Sequence, residues 1–326
     1  QEDRREHDGQ PFDVLRRWYD DAQVHRCAGL GVTGAYADDF VAPTRVLPED
    51  ACQEAALALD ASLPPQLNLV AVGARGYSVL TRQPGGAPRA PWRIRYLEND
   101  KCSSGTGENI QKMAGRFGLT VAEADDIAGR ADHRIPITAR CSVFTKSEMT
   151  HFANQGRPTG ALFAGFFNSV ARNVAGLLSR NHVDGPVYLV GGCSRLDAFR
   201  RGLEAYLDAE VRVPDNALNF EAQGAAALAA LEAPTSLPTR ADALFERRHR
   251  HFVVQAPARE HRHRVTHLEA PPAPADPGRP AVLGFDLGST GAKAVLTDLD
   301  TGAPLADAYD RTRGNPVDAT RRLLTS

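Results

Sequence analysis

The chain has 326 residues, a length that allows one large or two medium domains with a well-developed core. Its 38 basic and 40 acidic side chains nearly cancel, so the net charge does not point to a nucleic acid or a membrane surface as partner. The five cysteines lack the close spacing of a disulfide framework, which favours a reduced, cytoplasmic compartment. No apolar run approaches the roughly 20 residues of a membrane-spanning helix, and no signal peptide is visible.

The amino-terminal part predicts a helix, a strand and a second helix. Apolar spacing favours an amphipathic helix over 12–22, a strand over 25–33 and a helix over 48–59. Glu49 falls in the first turn of that second helix, where the helix dipole alone is enough to favour a carboxylate. The chain opens with Gln1 rather than Met, and we interpret it as a fragment of a longer protein.

Cys102 lies where a strand gives way to a helix. Residues 82–91 predict a Pro/Gly-rich surface turn, 92–97 a short strand and 110–117 a helix that follows the run NDKCSSGTG. At a helix N-terminus, free N–H groups and the helix dipole favour a thiolate over a thiol. Cys141 follows 39 residues later.

These two cysteines allow two interpretations. An iron–sulfur cluster is usually held by four thiolates, so two ligands per chain would require two copies of the chain to share one cluster. The alternative is that both are ordinary buried apolar residues, as free cysteines often are.

A second candidate site follows a short strand predicted over 187–190. Gly191 and Gly192 lie at its carboxyl end, where open α/β sheets bind ligands and where glycines let a base and ribose lie against the backbone. A Gly-Gly pair after a strand is also a common tight turn. The apolar stripe over 162–177 predicts a long core helix, and Cys193 is expected to be buried.

Residues 233–280 differ from the rest in composition. They hold eight prolines and five of the ten histidines, and we interpret them as a solvated linker rather than a metal site, because no acidic or cysteine ligands accompany the histidines. The basic cluster 247–250 lacks the aromatic platform of a nucleic-acid site.

Residues 281–297 predict a strand, a tight polar turn and a return strand. An aspartate in an otherwise apolar strand, Asp286, argues against a plain hairpin, because a buried carboxylate needs a partner. Glycines and hydroxyls in such a turn can direct donors at phosphate oxygens. The turn carries Gly288, Ser289, Thr290 and Lys293.

Several of these segments together resemble the activator ATPases of 2-hydroxyacyl-CoA dehydratases and benzoyl-CoA reductases, the BadF/BadG/BcrA/BcrD ATPase family. The resemblance covers about 10–231 and again 281–326. The segments that carry it are 99–107, 138–148, 169–175, 190–192 and 219–226.

The resemblance implies an α/β, actin-like (ribonuclease H-like) two-lobed ATPase fold with ATP in the cleft. It implies that Cys102 and Cys141 hold a [4Fe-4S] cluster bridging a homodimer, and that Glu49 helps to position Mg²⁺ or water. Gly191 and Gly192 would border the nucleoside. The turn after Asp286 resembles the first phosphate loop of the actin, hexokinase and heat-shock ATPase superfamily, so Asp286, Gly288, Ser289, Thr290 and Lys293 would hold phosphates and the magnesium-bound water.

The sequence departs from the family at a second phosphate loop. There the family carries Asp-Ile-Gly-Gly-Gln-Asp, and this chain has AVGARG over 71–76. Both aspartates and the glutamine are replaced. Arg75 can pair with a phosphate but cannot bind magnesium, so slow ATP hydrolysis is expected.

The first phosphate loop also follows the cysteines, whereas the family has it before them. We therefore expect parts of two tandem activator modules. Residues 10–80 form the remainder of the first lobe, 90–232 the cysteine-bearing second lobe and 233–280 the linker, while 281–326 open module two and could fold back as in a circular permutant.

The predicted function is an ATP-dependent activator that passes a low-potential electron to an acyl-CoA dehydratase or reductase subunit. One alternative is a non-hydrolysing iron–sulfur or interaction module. The other is a sugar-kinase-like phosphotransferase, which would have no use for Cys102 and Cys141.

Overall fold

The computed structural model describes residues 3–7, 10–87, 90–99, 106–138, 141–246, 258–266, 278–288, 291–312 and 316–325. The helices of this part are α1 (Pro11–Asp21), α2 (Glu49–Leu59), α3 (Gly107–Arg116), α4 (Val121–Gly129), α5 (Ser142–Asn154), α6 (Thr159–Leu178), α7 (Asp197–Leu207), α8 (Phe220–Ala230) and α9 (Pro316–Leu323). The strands are β1 (Gly31–Val32), β2 (Arg45–Val46), β3 (Leu67–Val72), β4 (Tyr77–Ala87), β5 (Ala90–Glu98), β6 (Val187–Val190), β7 (Val211–Arg212), β8 (Ala281–Leu287), β9 (Gly291–Asp298) and β10 (Pro304–Arg311).

A five-stranded mixed sheet of order β5-β4-β3-β6-β7 is the centre of the fold. The meander β3-β4-β5 is antiparallel, whereas β6 runs parallel to β3 and β7 parallel to β6. Every residue of β3 is buried, and all of them except Asn68 are apolar, as expected of a strand that is covered on both faces. The parallel pairing of Ala71 with Val190 brings the carboxyl ends of β3 and β6 to one edge.

α6 is the core helix of this sheet. Leu162, Phe163, Phe166, Phe167 and Val170 are fully buried in the largest apolar cluster. By length and composition α6 could cross a membrane, so the expectation that no apolar run approaches this length is wrong. Its most apolar stretch is 72% buried inside the protein, as expected of a core helix.

A smaller unit flanks the sheet. β1 and β2 form a two-stranded parallel sheet, and α2 packs against α8. The two helices approach closely because Gly224 has no side chain: a Cβ there would lie 1.7 Å from Cys52 O. Gly31 serves the same purpose, since its Cβ would lie 2.4 Å from Ala225 O.

The predicted linker begins later than expected. Leu237, Leu244 and Phe245 are buried in a cluster with Tyr19 of α1, and the Tyr19 hydroxyl donates to Pro238 O at 2.6 Å. Apolar side chains within the Pro-rich composition therefore anchor 237–245 to the amino-terminal helix. Of the remaining linker, 247–257 and 267–277 lie outside the described residues.

The segment 281–326 forms its own three-stranded antiparallel sheet of order β10-β9-β8, with α9 packed on one face. Among the described strands, β8 pairs only with β9. The folding back of 281–326 beside the first-lobe strands is therefore not seen in this structure. All of β8 is exposed, including Leu283 and Phe285.

Three other expectations differ from the structure. The strand predicted over 25–33 reduces to Gly31–Val32, preceded by a 3₁₀ turn at Val24–Arg26. Of the surface turn predicted over 82–91, residues 82–87 belong to β4 and 90–91 to β5, while 88 and 89 lie outside the described residues. Pro84 is tolerated in β4 because this part of the strand extends past the end of β3. The domain boundary expected between 80 and 90 falls inside one sheet, in which β3, β4 and β5 are neighbours.

Candidate functional site

The candidate site lies at the carboxyl ends of β3 and β6. Gly191 follows β6 with φ of 85°, and its N–H donates to Ala217 O at 2.8 Å. A Cβ at this position would lie 2.6 Å from Val72 O, so only glycine lets the two loops meet. The Gly-Gly pair predicted from sequence is therefore in contact with the end of β3, which leads into the altered loop 73–76.

The loop 73–76 caps the helix that follows the Cys102 segment. Gly73 O accepts the N–H of Gly107 at 2.9 Å, and Ala74 O accepts the N–H of Glu108 at 2.9 Å. These are the first two residues of α3, whose N–H groups have no partner within the helix. The strand–cysteine–helix order predicted from sequence is confirmed for β5 and α3, and Cys102 itself lies outside the described residues.

Two carboxylates lie on the side of α2 and α8. Glu49 is the first residue of α2, and its Oε1 is 4.0 Å from where a Cβ of Gly34 would stand. Burial, and then the nearby Glu221 and Glu98, raise the pKa of Glu49 above its usual value. Sequence reasoning missed Glu221, although it lies in the family-like run 219–226 and in the first turn of α8.

Gln53 ties these carboxylates to the sheet. Its side chain is fully buried, and Nε2 donates to Glu221 Oε1 and Ser78 Oγ, both at 3.2 Å. Its Oε1 is buried with no hydrogen-bond partner in the described part of the chain. Carboxylate and amide oxygens are the ligands that Mg²⁺ prefers, so this side of the site has suitable donors for a hydrated cation. No group of three or more His, Cys, Asp or Glu in metal-binding geometry occurs among the described residues.

Arg75 extends from the altered loop towards the segment that follows β1. Its Nη2 donates to the Tyr36 hydroxyl at 3.0 Å, and its guanidinium carbon lies 4.8 Å from the centre of the Tyr36 ring. Tyr36 stands two residues after Gly34, whose φ is 94°. The contact therefore joins the loop after β3 to the loop after β1.

A cavity of about 680 Å³ lies next to Gly192, between α4 and the start of α7. Asp125 closes one side, with its carboxylate accepting the backbone N–H groups of Asp197 and Ala198 at 2.9 Å each. Burial raises the pKa of Asp125, although those two hydrogen bonds act in the opposite direction. Arg195 and Arg201 also line the cavity, so it offers both charges beside the Gly-Gly turn.

Cys141 caps the N-terminus of α5. It is half-buried, and its carbonyl accepts the hydroxyl of Thr145 at 2.9 Å. The next residues, Val143 and Phe144, are each 69% exposed. The partly exposed Cys141 beside two exposed apolar side chains differs from Cys193, which is buried as predicted and whose pKa burial raises to about 12.

The predicted phosphate turn is only partly described. Lys293 Nζ lies 2.7 Å from Asp286 Oδ2, and Gly288 N–H donates to Gly291 O at 2.9 Å. Ser289 and Thr290 lie outside the described residues. Among the residues that are described, the hydrogen bonds of Asp286, Gly288 and Lys293 stay within the segment 281–312, where Gly288 O also accepts the hydroxyl of Thr312, so this structure does not bring them to the loop 73–76.

An antiparallel three-stranded meander continued by two parallel strands, with polar loops meeting at the strand ends, defines the ribonuclease H-like half of an actin-like fold. The fold class is confirmed by the structure of the activator of the 2-hydroxyisocaproyl-CoA dehydratase from Clostridium difficile with bound ADPNP. That structure has a TM-score of 0.59 at 24% identity and covers 80% of this chain and 86% of that one.

Within this class, residues 92–229 match the model of the BadF/BadG/BcrA/BcrD ATPase family. It is 29% identical over 174 residues to the 2-hydroxyisocaproyl-CoA dehydratase activator of Clostridioides difficile, covering 53% of this chain and 64% of the relative. It is 31% identical over 131 residues to the (R)-2-hydroxyglutaryl-CoA dehydratase activating ATPase of Acidaminococcus fermentans, covering 40% and 50%. The match thus spans between half and 64% of these relatives' length.

Proposed function

We propose that this chain is part of an ATP-dependent activator that donates a low-potential electron to a cytoplasmic acyl-CoA dehydratase or reductase. The observation that carries the proposal is the pair of hydrogen bonds from Gly107 and Glu108 to the loop 73–76. They connect the edge where a nucleotide would bind to the helix that starts just after Cys102. The relatives named as dehydratase activators support the same assignment.

In this proposal Cys102 and Cys141 of two copies hold one [4Fe-4S] cluster, which supplies the electron when bound. Cys141 fits such a role in its donor chemistry, its partial exposure and its position at the start of a helix. The exposed Val143 and Phe144 beside it suit a homodimer contact, because burying them removes apolar surface from water.

The nucleoside would bind in the cavity beside Gly192. Gly191 allows the turn at its edge because it has no side chain to clash with Val72 O. Glu49 and Glu221 would hold the waters of a magnesium ion, and the buried, unpaired oxygen of Gln53 supports a polar ligand here. Asp286, Gly288, Ser289, Thr290 and Lys293 would complete the phosphate site, provided that β8 joins β1.

The two incomplete sheets support that joining. β1 and β2 are a parallel pair, like β6 and β7, whereas β8-β9-β10 is an antiparallel meander, like β3-β4-β5. Joined together, the β1–β2 pair and the β8-β9-β10 meander would form a five-stranded sheet of the same kind as β5-β4-β3-β6-β7. If β8 pairs with β1 as β3 pairs with β6, Asp286 lies beside Val32, close to Gly34 and Glu49.

Because the loop 73–76 lacks the family's acidic and amide groups, we also consider a module that binds nucleotide without turning it over. In both versions the bound nucleotide changes the angle between the lobes and moves α3. The two versions differ only in the rate of ATP hydrolysis.

Iron and acid-labile sulfide per chain, measured on anaerobically purified protein, test the proposal. About two iron atoms per chain would match one four-iron cluster shared by two copies. Cys102→Ser and Cys141→Ser should each lose the iron, and Cys27→Ser should keep it, because Cys27 is an exposed cysteine without an assigned role. Absence of iron after anaerobic reconstitution of the unaltered protein would contradict the proposal.

A further inference from the structure

Arg75 carries a positive charge from the loop after β3 towards the loop after β1. Among the described residues no carboxylate lies within ion-pair distance of it, and its side-chain partner is the neutral Tyr36. Glu108, the nearby carboxylate on α3, is already paired with Lys112 at 2.6 Å. A guanidinium has five N–H donors arranged in a fork, so Arg75 retains the capacity to bind an anion with two hydrogen bonds.

The contact between Arg75 and Tyr36 is weak enough to be replaced by a contact with a phosphate. Arg75 is exposed, and an exposed cation–π contact is weaker than a charge-assisted, bidentate hydrogen bond to phosphate. Its loop follows Val72, which contacts Gly191, so Arg75 starts close to the Gly-Gly turn that borders the proposed nucleoside site.

We propose that Arg75 binds the terminal phosphate of a nucleoside triphosphate and leaves Tyr36 when it does so. This inference rests on the proposed nucleotide site and assigns a residue to it. Arg75 then provides charge neutralisation at the position where relatives use acidic and amide groups with magnesium. Triphosphate binding in this chain consequently depends less on magnesium than on Arg75.

The same exchange reaches the cysteine-bearing helix. Arg75 directly follows Gly73 and Ala74, whose carbonyls accept hydrogen bonds from the first two N–H groups of α3. When the side chain moves from Tyr36 to a phosphate, the loop and the start of α3 move with it. Exchange of the Gly107 and Glu108 amides with solvent therefore reports on occupancy by the terminal phosphate.

Calorimetric titration of the full chain with ADPNP and with ADP, with and without EDTA, tests this inference. A hydrogen bond to a charged group contributes about 1.5–3 kcal/mol net, which corresponds to about 10- to 150-fold in affinity. Arg75→Gln should therefore weaken ADPNP binding by that factor and ADP binding by less than about threefold. Arg75→Lys should recover part of the loss. Tyr36→Leu, which removes the competing partner, should strengthen ADPNP binding by about two- to fivefold.

Arg180→Gln serves as the matched control, because Arg180 is an exposed arginine just after α6, near the opposite end of the sheet from the site. It should leave both affinities unchanged. In residue-resolved hydrogen exchange, ADPNP should change the protection of Gly107 and Glu108 in the unaltered chain and not in Arg75→Gln.

If the unaltered chain binds ADPNP and Arg75→Gln binds it equally well, the role of Arg75 is refuted and the nucleotide site remains. If the unaltered chain binds neither nucleotide, the nucleotide site is refuted, and the role of Arg75 with it.

Discussion

The ionised carboxylate of Glu49 lowers the stability of the folded chain. Its pKa is raised by burial and by Glu221, so its ionised form is disfavoured in the folded state and stability is lost as the pH rises through that raised pKa. Glu49→Gln should therefore unfold at a higher denaturant concentration at pH 7. The gain should be about 0.5 kcal/mol or less, because Glu49 is partly screened by solvent.

The difference should vanish below the usual glutamate pKa of 4.5, where both states bind the proton. Glu54→Gln, on the same helix, is the control for the loss of a surface carboxylate and should leave the stability at pH 7 unchanged. A Glu49→Gln variant that is less stable than the unaltered chain at pH 7 would show that the ionised carboxylate is stabilised by a partner.

Arg82 is a buried arginine whose contacts are structural. Its Nη1 and Nη2 donate to Leu57 O at 3.3 Å and Pro64 O at 2.8 Å, and its guanidinium carbon lies 4.9 Å from the centre of the Trp92 ring. Burial lowers its pKa. Arg82→Met should lower the free energy of unfolding by about 1–3 kcal/mol, because two carbonyls lose their donor.

Urea denaturation measures this loss, with Arg93→Met on the exposed side of β5 as control. The control should change stability by less than about 0.5 kcal/mol. Equal, small effects at both positions would contradict the assignment of Arg82 as a link between β4 and the end of α2.

At the residue scale, sequence alone identified groups that follow a strand or begin a helix. Gly191, Gly192 and Glu49 were found in this way, since strand ends and first helical turns leave local patterns. Glu221 and Gln53 were missed as a pair because they lie 168 residues apart, and only the packing of α2 on α8 brings them together.

At the scale of elements, the contact between α2 and α8 depends on one missing side chain. Gly224→Ala would place a Cβ 1.7 Å from Cys52 O, which forces the helices apart. We expect a loss of about 3 kcal/mol in the free energy of unfolding. The measurement is urea denaturation followed by circular dichroism.

Gly176→Ala is the matched control in a helix, because a Cβ there meets nothing within 4 Å. It should be neutral or raise stability by up to about 1 kcal/mol, since alanine has the higher helix propensity. If Gly224→Ala behaves like the control, the close packing of α2 and α8 is wrong.

Helices were predicted more accurately than strands. The helices expected over 12–22, 48–59 and 162–177 match α1, α2 and α6, because each carries its own apolar stripe. The strand expected over 25–33 shortened to two residues, since among the described strands β1 has only β2 as a neighbour. The extent of β4 up to Ala87 was missed because Pro and Gly are tolerated where β4 and β5 extend past β3.

At the scale of the whole molecule, the lobe boundary could not be located from sequence. β3 is assigned to its lobe by pairing with β6, more than 100 residues later, and such pairing leaves no local pattern. In the same way, the lobe to which 281–311 belongs depends on the proposed pairing of β8 with β1.

Hydrogen exchange of β8 tests that pairing in the ADPNP-bound protein. A strand with one free edge exchanges every second amide rapidly, because those amides face solvent. We expect ADPNP to protect this second set between Val282 and Leu287. Amides on the outer edge strand β10 serve as control and should not change, and unchanged exchange throughout β8 would contradict the joining of the two sheets.

Electron transfer under control of the nucleotide tests the central claim most directly. The protein is reduced anaerobically with dithionite, freed of excess dithionite by gel filtration, and mixed with a one-electron viologen acceptor in a stopped-flow spectrometer, alone and with ATP, ADPNP or ADP. We predict that ATP and ADPNP raise the transfer rate by at least about fivefold, the lower end of typical coupling between sites, and that Cys141→Ser abolishes transfer. A rate that is the same with and without nucleotide, or that survives Cys141→Ser, would contradict the account.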